Sequence, residues 1–283
     1  MRRWLALAMS VAALAACGGG GDATRTPGAS TAAGSTAGPS GSTGPVVTLT
    51  IFADASLTRV LSAAKSAYEA ATPGIRLTLV FGSSAALRIL IQKGAAADAL
   101  ISADLATAQG VVTDHLAGGP ATPLVADRLA IIVPAANKAK LKTPKDLARS
   151  GVRIVGAVAS VPVTSAANQL LAALAKLSGY PAGFVKLVAH NTKATRADDA
   201  AVVAAIETDS ADAAIVYATD AKGNAKVRTI AIPATAEVTS TVASVEIALT
   251  ANPLQSAAFL GWLMSPAGQQ IFASFGYLPA GTT

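Results

Sequence analysis

Three apolar, β-branched runs in this chain end in turns of small or hydroxyl-bearing residues that open into segments of helical spacing. Residues 46–52 lead into Ala53-Asp54-Ala55-Ser56, and residues 75–81 into Gly82-Ser83-Ser84. Residues 152–156 lead to Val161-Pro162-Val163-Thr164. A fourth run, 213–217, ends on Tyr217 and continues as Ala218-Thr219-Asp220. Strands alternating with helices of about 10–15 residues imply parallel sheets with helices on both faces. Helices are expected over 57–71, 84–94, 165–178 and 198–207, with starts at Thr143-Pro144 and Ser265-Pro266, where Pro follows a hydroxyl cap. Further strands are expected at 99–102, 129–133, 184–188, 227–232 and 245–249. About ten strands exceed one ordinary sheet, and no long linker divides them. Two α/β units sharing one cleft fit best.

Composition removes several classes of function. Cys17 is the only cysteine, so no disulfide forms within the chain, and two histidines (His115 and His190) make a dedicated zinc site unexpected. The net charge is +6; three bases and one acid lie in the first 45 residues, leaving +4 with no basic stripe for nucleic acid. Beyond residue 16 no apolar run of about 18 residues offers a membrane span.

Residues 1–16 read as a signal peptide: Arg2-Arg3, then an apolar stretch of 13 residues from Trp4. The stretch closes on Leu14-Ala15-Ala16-Cys17, which resembles the bacterial lipobox, so Cys17 is expected to be lipidated. Two or more acyl chains anchor stably where one does not. Of residues 18–45, 21 are Gly, Pro, Ser or Thr, so 17–45 is expected to be a lipidated cysteine with a disordered linker, spanning roughly 30 Å.

Ligands of open α/β sheets bind beyond the carboxyl ends of the strands. Helix N-termini there offer free N–H groups and the positive dipole end, which together form an anion site. Ser56 and Ser84 add hydroxyls to two such starts, and Tyr217 adds a phenol. A lone serine at a helix start is commonly a cap; the signal is their convergence.

The wording of these joints resembles the molybdate-binding proteins, the substrate-capture subunits of bacterial ABC importers. Phe52-Ala-Asp-Ala-Ser-Leu-Thr58 is similar to that family's FAAASLT, and Phe81-Gly-Ser-Ser-Ala-Ala-Leu87 to its FGSSGAL. Gly94-Ala-Ala-Ala-Asp98 with Ser102-Ala-Asp104 resembles GAPAD…SAD, and residues 213–221 resemble AGIVYATDA. The resemblance runs from about Val47 to Pro279. It implies a type II periplasmic-binding-protein fold, two α/β lobes around a ligand cleft with two hinge crossovers. On this reading lobe 1 is 46–127 plus 240–283, and lobe 2 is 128–239. It also implies that a tetrahedral oxyanion, molybdate or tungstate, is held by uncharged donors: hydroxyls and amides of Ser56 and Ser84, the Tyr217 hydroxyl, and main-chain N–H groups at Val163 and Asp199.

Asp199 stands where the family has an apolar residue. Asp198 and Asp199 are expected to point to solvent and favour the helix start without touching the ligand; the alternative is a carboxylate facing the pocket, which would repel a dianion or select an anion that still carries a proton. A protonated phosphate would leave one O–H without an acceptor among neutral donors, at a cost of ~1–3 kcal/mol, so fully deprotonated anions are favoured. Sulfate, phosphate or another small anion is the alternative ligand. A lipid-anchored serine hydrolase using Ser56 or Ser84 is more distant, because Gly82-Ser83-Ser84-Ala85-Ala86 lacks the G-x-S-x-G elbow. The resemblance implies a non-enzymatic monomer without cofactor. Its partners would be the oxyanion, an ABC permease and its cytoplasmic ATPase, with the lipid anchor holding it at the outer face of the cytoplasmic membrane.

Overall fold

The strand that organises the molecule is β4 (Thr122–Pro134), thirteen residues long and buried from Leu124 onward except at exposed Arg128. The computed structural model describes residues 45–282; the signal segment 1–16, Cys17 and all but the last residue of the linker lie outside them. Up to Arg128, β4 pairs antiparallel with β9 (Thr239–Glu246), from Thr122 opposite Ser244 to Arg128 opposite Thr239. From Leu129 it changes partners, running antiparallel to β7 (Ala214–Tyr217) and β8 (Val227–Ile230). One continuous strand thereby serves two halves of the core.

In the first half, β1 (Val47–Asp54) runs parallel to β2 (Ile75–Gly82) and β3 (Ala99–Ser102). β9 then pairs antiparallel with β3, and β10 (Leu278–Pro279) closes the far edge on β4. The register sets Asp54 opposite Gly82, so the chain leaves both strands at the same end of the sheet. α1 (Thr58–Ala71) buries Val60, Leu61, Ala64 and Tyr68, the stripe its spacing predicts. Tyr68 meets Phe259 and Trp262 of α8 (Pro253–Met264) at 5.0 and 5.1 Å between ring centres. α2 (Ser84–Gln92) and α3 (Leu105–Thr113) cover Leu87, Leu100, Val111 and Val245.

In the second half, β5 (Ile154–Ala157) runs parallel to β6 (Thr192–Arg196) and touches Ala213, just ahead of β7, through one bridge. α4 (Pro162–Ala175) and α6 (Asp199–Glu207) pack Leu170, Leu174, Val202 and Ile206 against Ile131, Ile132 and Val216. α7 (Ala218–Ala221) is a single turn after β7, and α9 (Pro266–Phe275) follows α8.

Four expectations need correction. Residues 184–188 are not a strand but the start of α5 (Phe184–Asn191): Phe184 and Val188, four apart, are buried, while Val185 and Leu187 are exposed. The short apolar run satisfies either period, and burial on one helical face decides. The strand there is β6, polar and easily missed. The 245–249 strand begins earlier, at Thr239, and ends at Glu246, leaving Leu249 exposed. The Thr143-Pro144 start yields only a 3-10 turn, Pro144–Ala148. The sheet is mixed rather than parallel, because β4 and β9 run against their neighbours. Among the described residues, no helix is long and apolar enough to cross a membrane.

Two glycines give a stability test. A Cβ on Gly268, in the first turn of α9, would sit 2.5 Å from the carbonyl oxygens of Leu263 and Trp262, whereas one on Gly261, exposed within α8, would meet nothing. Gly268→Ala should cost about 1–3 kcal/mol through overpacking. Gly261→Ala should gain about 0.5–1 kcal/mol by removing glycine's extra backbone freedom from a helix. Urea unfolding midpoints read both, and opposite signs are expected.

Candidate functional site at the ends of β1, β2 and β7

Asp54, the last residue of β1, is fully buried. One carboxylate oxygen accepts from the amide and hydroxyl of Ser56, at 3.1 and 2.9 Å. The other accepts from the amide of Ser84 at 2.8 Å and from its hydroxyl. The parallel register of β1 and β2 makes this possible, since it sets the start of α2 beside the end of β1. Burial nonetheless pushes the Asp54 pKa up, and the four hydrogen bonds only partly offset it.

Ser84 is not the helix cap. Ser83 accepts the amide of Ala86 at 3.3 Å, which leaves Ser84 to point inward, where it also accepts the amide of Ala103 at 3.1 Å. The structure therefore brings Ser56 and Ser84 together, with both hydroxyls donating to Asp54.

On the opposite side α6 packs against the turn 55–57, and its first residue is Asp199. The expectation that Asp199 faces solvent is overturned: it is fully buried. The cap is Asp198, which accepts the amide of Ala201 at 2.8 Å. Asp199, Val202, Val203 and Ile206 fall on one helical face, the face α6 buries, so the carboxyl is carried inward with them. Neither of its oxygens has a hydrogen-bond partner. Burial raises its pKa well above the ordinary value, and the charges of Asp54, Asp220 and Asp198 add to the shift. Asp54 lies within its reach but is an acceptor too, so that contact closes only when one carboxyl holds a proton.

Tyr217 ends β7 and is buried, and its hydroxyl has no partner. Ser240 approaches without meeting hydrogen-bond geometry and donates instead to the Ala103 carbonyl at 2.7 Å. Burial raises the Tyr217 pKa, as do the charges of Asp199 and Asp54, so the phenol stays a donor. Val163 is the second residue of α4, where a helix has no internal partner for its N–H. Its side chain is buried in the second half's core, which leaves only the backbone for a ligand.

A second acidic group lies alongside. Asp127 of β4 accepts the Thr219 hydroxyl at 2.5 Å, its other oxygen has no partner, and desolvation pushes its pKa up to about 7. A cavity of about 630 Å³ opens between Ser56, Thr58 and Arg59 on one side and Ala200, Glu207, Asp220 and Asn224 on the other. Arg59 donates to the Lys222 carbonyl at 3.0 Å, and Lys222 to the Ser274 carbonyl at 2.9 Å, which ties the rim together.

Sequence reasoning singled out Ser56, Ser84, Tyr217, Val163 and Asp199 but passed over Asp54, although the signal was present: Asp stands where the FAAASLT motif has Ala. Asp98, by contrast, is a structural clamp, accepting from the Thr50 amide at 2.7 Å, from the Thr250 hydroxyl and from Asn252. Neither histidine stands at the serines as the hydrolase alternative would require of a base: His115 and His190 are both exposed, while Ser84 is engaged by Asp54 and Ala103. Among the described residues no three carboxyl, imidazole or thiol groups converge as metal ligands.

Comparison with known proteins is consistent across the chain. A family model for bacterial extracellular solute-binding proteins matches residues 49–278. The molybdate-binding protein ModA of Mycobacterium tuberculosis is 28% identical over 282 residues, 97% of this chain and 98% of its own. A substrate-binding domain from Clostridium difficile, assigned to a molybdenum ABC transporter, superposes with a TM-score of 0.62 at 25% identity, covering 82% of this chain and 99% of that one. The periplasmic molybdate-binding protein of Azotobacter vinelandii gives 0.70 at 18% identity, with 81% and 98% covered, a likeness of fold.

Raised carboxyl pKa values predict a pH profile. A carboxyl that titrates higher when folded binds more protons folded than unfolded. Stability therefore falls as pH climbs from the ordinary 3.8 through about 7, the value for Asp127. Glu69 beside Lys65 and Asp114 beside Arg88 are shifted down, and act only below that window. The melting temperature should decline between pH 5 and 8 (roughly the window set by those shifts), and Asp127→Asn should flatten part of the decline. A profile that rises over this range would contradict the assignment.

Proposed function

The chain belongs to the bacterial extracellular solute-binding proteins, and on that premise we propose that it captures molybdate, or tungstate, outside the cytoplasm for an ABC importer. The observation that carries this reading is the buried Tyr217 hydroxyl, without a partner and within reach of the Asp199 and Asp54 charges. A buried donor left unsatisfied costs about 1–3 kcal/mol, and an oxyanion seated there accepts from it. Ser56, Ser84 and the first amides of α4 and α6, at Val163 and Asp199, complete a set of uncharged donors. In the structure both serines are directed at Asp54, so an incoming anion competes with that carboxylate for them.

The two lobes of this reading are 46–127 with 240–283, and 128–239. Ser56 and Ser84 come from the first, and Val163, Asp199 and Tyr217 from the second. Closing one lobe on the other buries ligand and donors together, which strengthens each hydrogen bond by excluding water. The hinge would lie where β4 changes partners, between Arg128 and Leu129, and where the chain returns into β9. The protein acts by binding rather than catalysis, as a monomer delivering the anion to a membrane permease driven by a cytoplasmic ATPase. Cys17, acylated after removal of residues 1–16, would hold it at the outer face of the cytoplasmic membrane.

Thermal melting of the purified chain with molybdate, tungstate, sulfate and phosphate tests the ligand. An anion at about 1,000 times its Kd adds ~4 kcal/mol of stability; the shift is expected with molybdate or tungstate, and its absence with both would sink the reading. Tyr217→Phe and Ser84→Ala should each weaken molybdate binding by ~1–3 kcal/mol without loss of fold, as read by titration calorimetry. Cys17→Ala should move the protein from the membrane fraction to the soluble one.

A further inference from the structure

We propose that Asp199 is itself a donor to the captured oxyanion, through one proton that the Asp199–Asp54 pair carries in the complex and takes up on binding wherever the free pair lacks it. This rests on the capture reading above and adds a specificity-determining residue to it. The geometry separates the two carboxyls. Asp54 has four donors directed at it, from Ser56 and Ser84, each favouring its charged form. Asp199 has none, although it is fully buried and faces both Asp54 and the unpartnered Tyr217 hydroxyl. A proton entering this pair settles on the carboxyl with no other donor, and Asp199 becomes an O–H.

Among the described residues, no cation is found to compensate the charge at Asp199. Asp54 of β1, Asp220 of α7 and Asp198 of the same helix all press Asp199 toward its neutral form, and Tyr217 of β7 brings only a neutral phenol. Asp127 of β4 adds to the same effect on Asp220. β5, Ile154–Ala157, has no charged residue. On β6, Lys193 is exposed and Arg196 donates to the Thr195 carbonyl. Arg59 of α1, at the rim, acts on Asp220. A dianion placed among these carboxyls adds negative charge and raises their proton affinity further. Where the free pair lacks its proton, dianion, protein and one proton from solvent form the complex, and the only new covalent bond is the O–H on Asp199; where it already holds one, dianion and protein combine without further exchange. The competing arrangement puts the proton on the ligand, as in hydrogen phosphate, with Asp199 accepting it.

The test is calorimetry of the full chain with molybdate and tungstate from mildly acidic to alkaline pH, in buffers of different ionisation heat. Above the titration of Asp199 in the free protein, proton uptake should approach one per anion and Kd should weaken about tenfold per pH unit; below it Asp199 already carries the proton and neither change is expected. Asp199→Asn keeps a donor but cannot titrate, so its Kd should be independent of pH and its proton uptake should vanish. Asp199→Ala, lacking the donor, should bind more weakly than Asp199→Asn. Binding of molybdate with no proton uptake at any pH of the series, alkaline end included, or an Asp199→Asn variant that keeps the pH slope, overturns the proposal and leaves the capture reading intact. Preference for hydrogen phosphate, abolished by Asp199→Asn, also overturns it by placing the proton on the ligand. Failure of both molybdate and tungstate to bind at any pH is the separate failure of the capture reading.

Discussion

The buried carboxylate of Asp54 is the interaction on which the rest of the site depends. A charge with no access to water needs donors, and four are assembled around it from two separate joints. Those bonds set the turn after β1 and aim Ser84 inward. They also hold the start of α2 against the end of β1. An anion that draws on Ser56 and Ser84 must take them from Asp54, so the carboxylate organises the pocket and also competes with its ligand.

The fold makes that competition adjustable. β4 crosses from one half of the core to the other and changes partners at Leu129. Asp54 and Asp199 thus come from elements whose side chains belong to different cores, and they meet where those halves face each other. Asp127, next to the partner change, accepts Thr219 across the same seam. A charge state altered at this seam is therefore felt by both halves at once. Net electrostatics here come from neutral donors set against buried acids, with Arg59 only at the rim.

Much of this was legible in the sequence. The joints after β1, β2 and β7 were visible as apolar runs ending in small and hydroxyl residues, because strand burial and turn chemistry are both local. The stripe of α1 was equally plain. Features set by tertiary context were not. The Ser83-Ser84 pair offers two equivalent caps, and only the packing of α2 decides which serine turns inward. At Asp198-Asp199 both residues suit a helix start, but the buried stripe through Val202, Val203 and Ile206 carries Asp199 inside. Phe184–Asn191 satisfied strand and helix patterns alike. Asp54 lay in a quoted motif, yet its significance rests on a register between two strands that a linear reading does not display.

The central claim, that these uncharged donors hold a molybdate ion, is tested most directly by equilibrium dialysis of the full chain in mildly acidic buffer. Molybdate would be supplied in trace amount against a large excess of sulfate and phosphate, with bound molybdenum counted by elemental analysis. The account predicts close to one molybdenum per chain. Molybdenum no higher inside the dialysis membrane than outside, with sulfate or phosphate retained in its place, would contradict it.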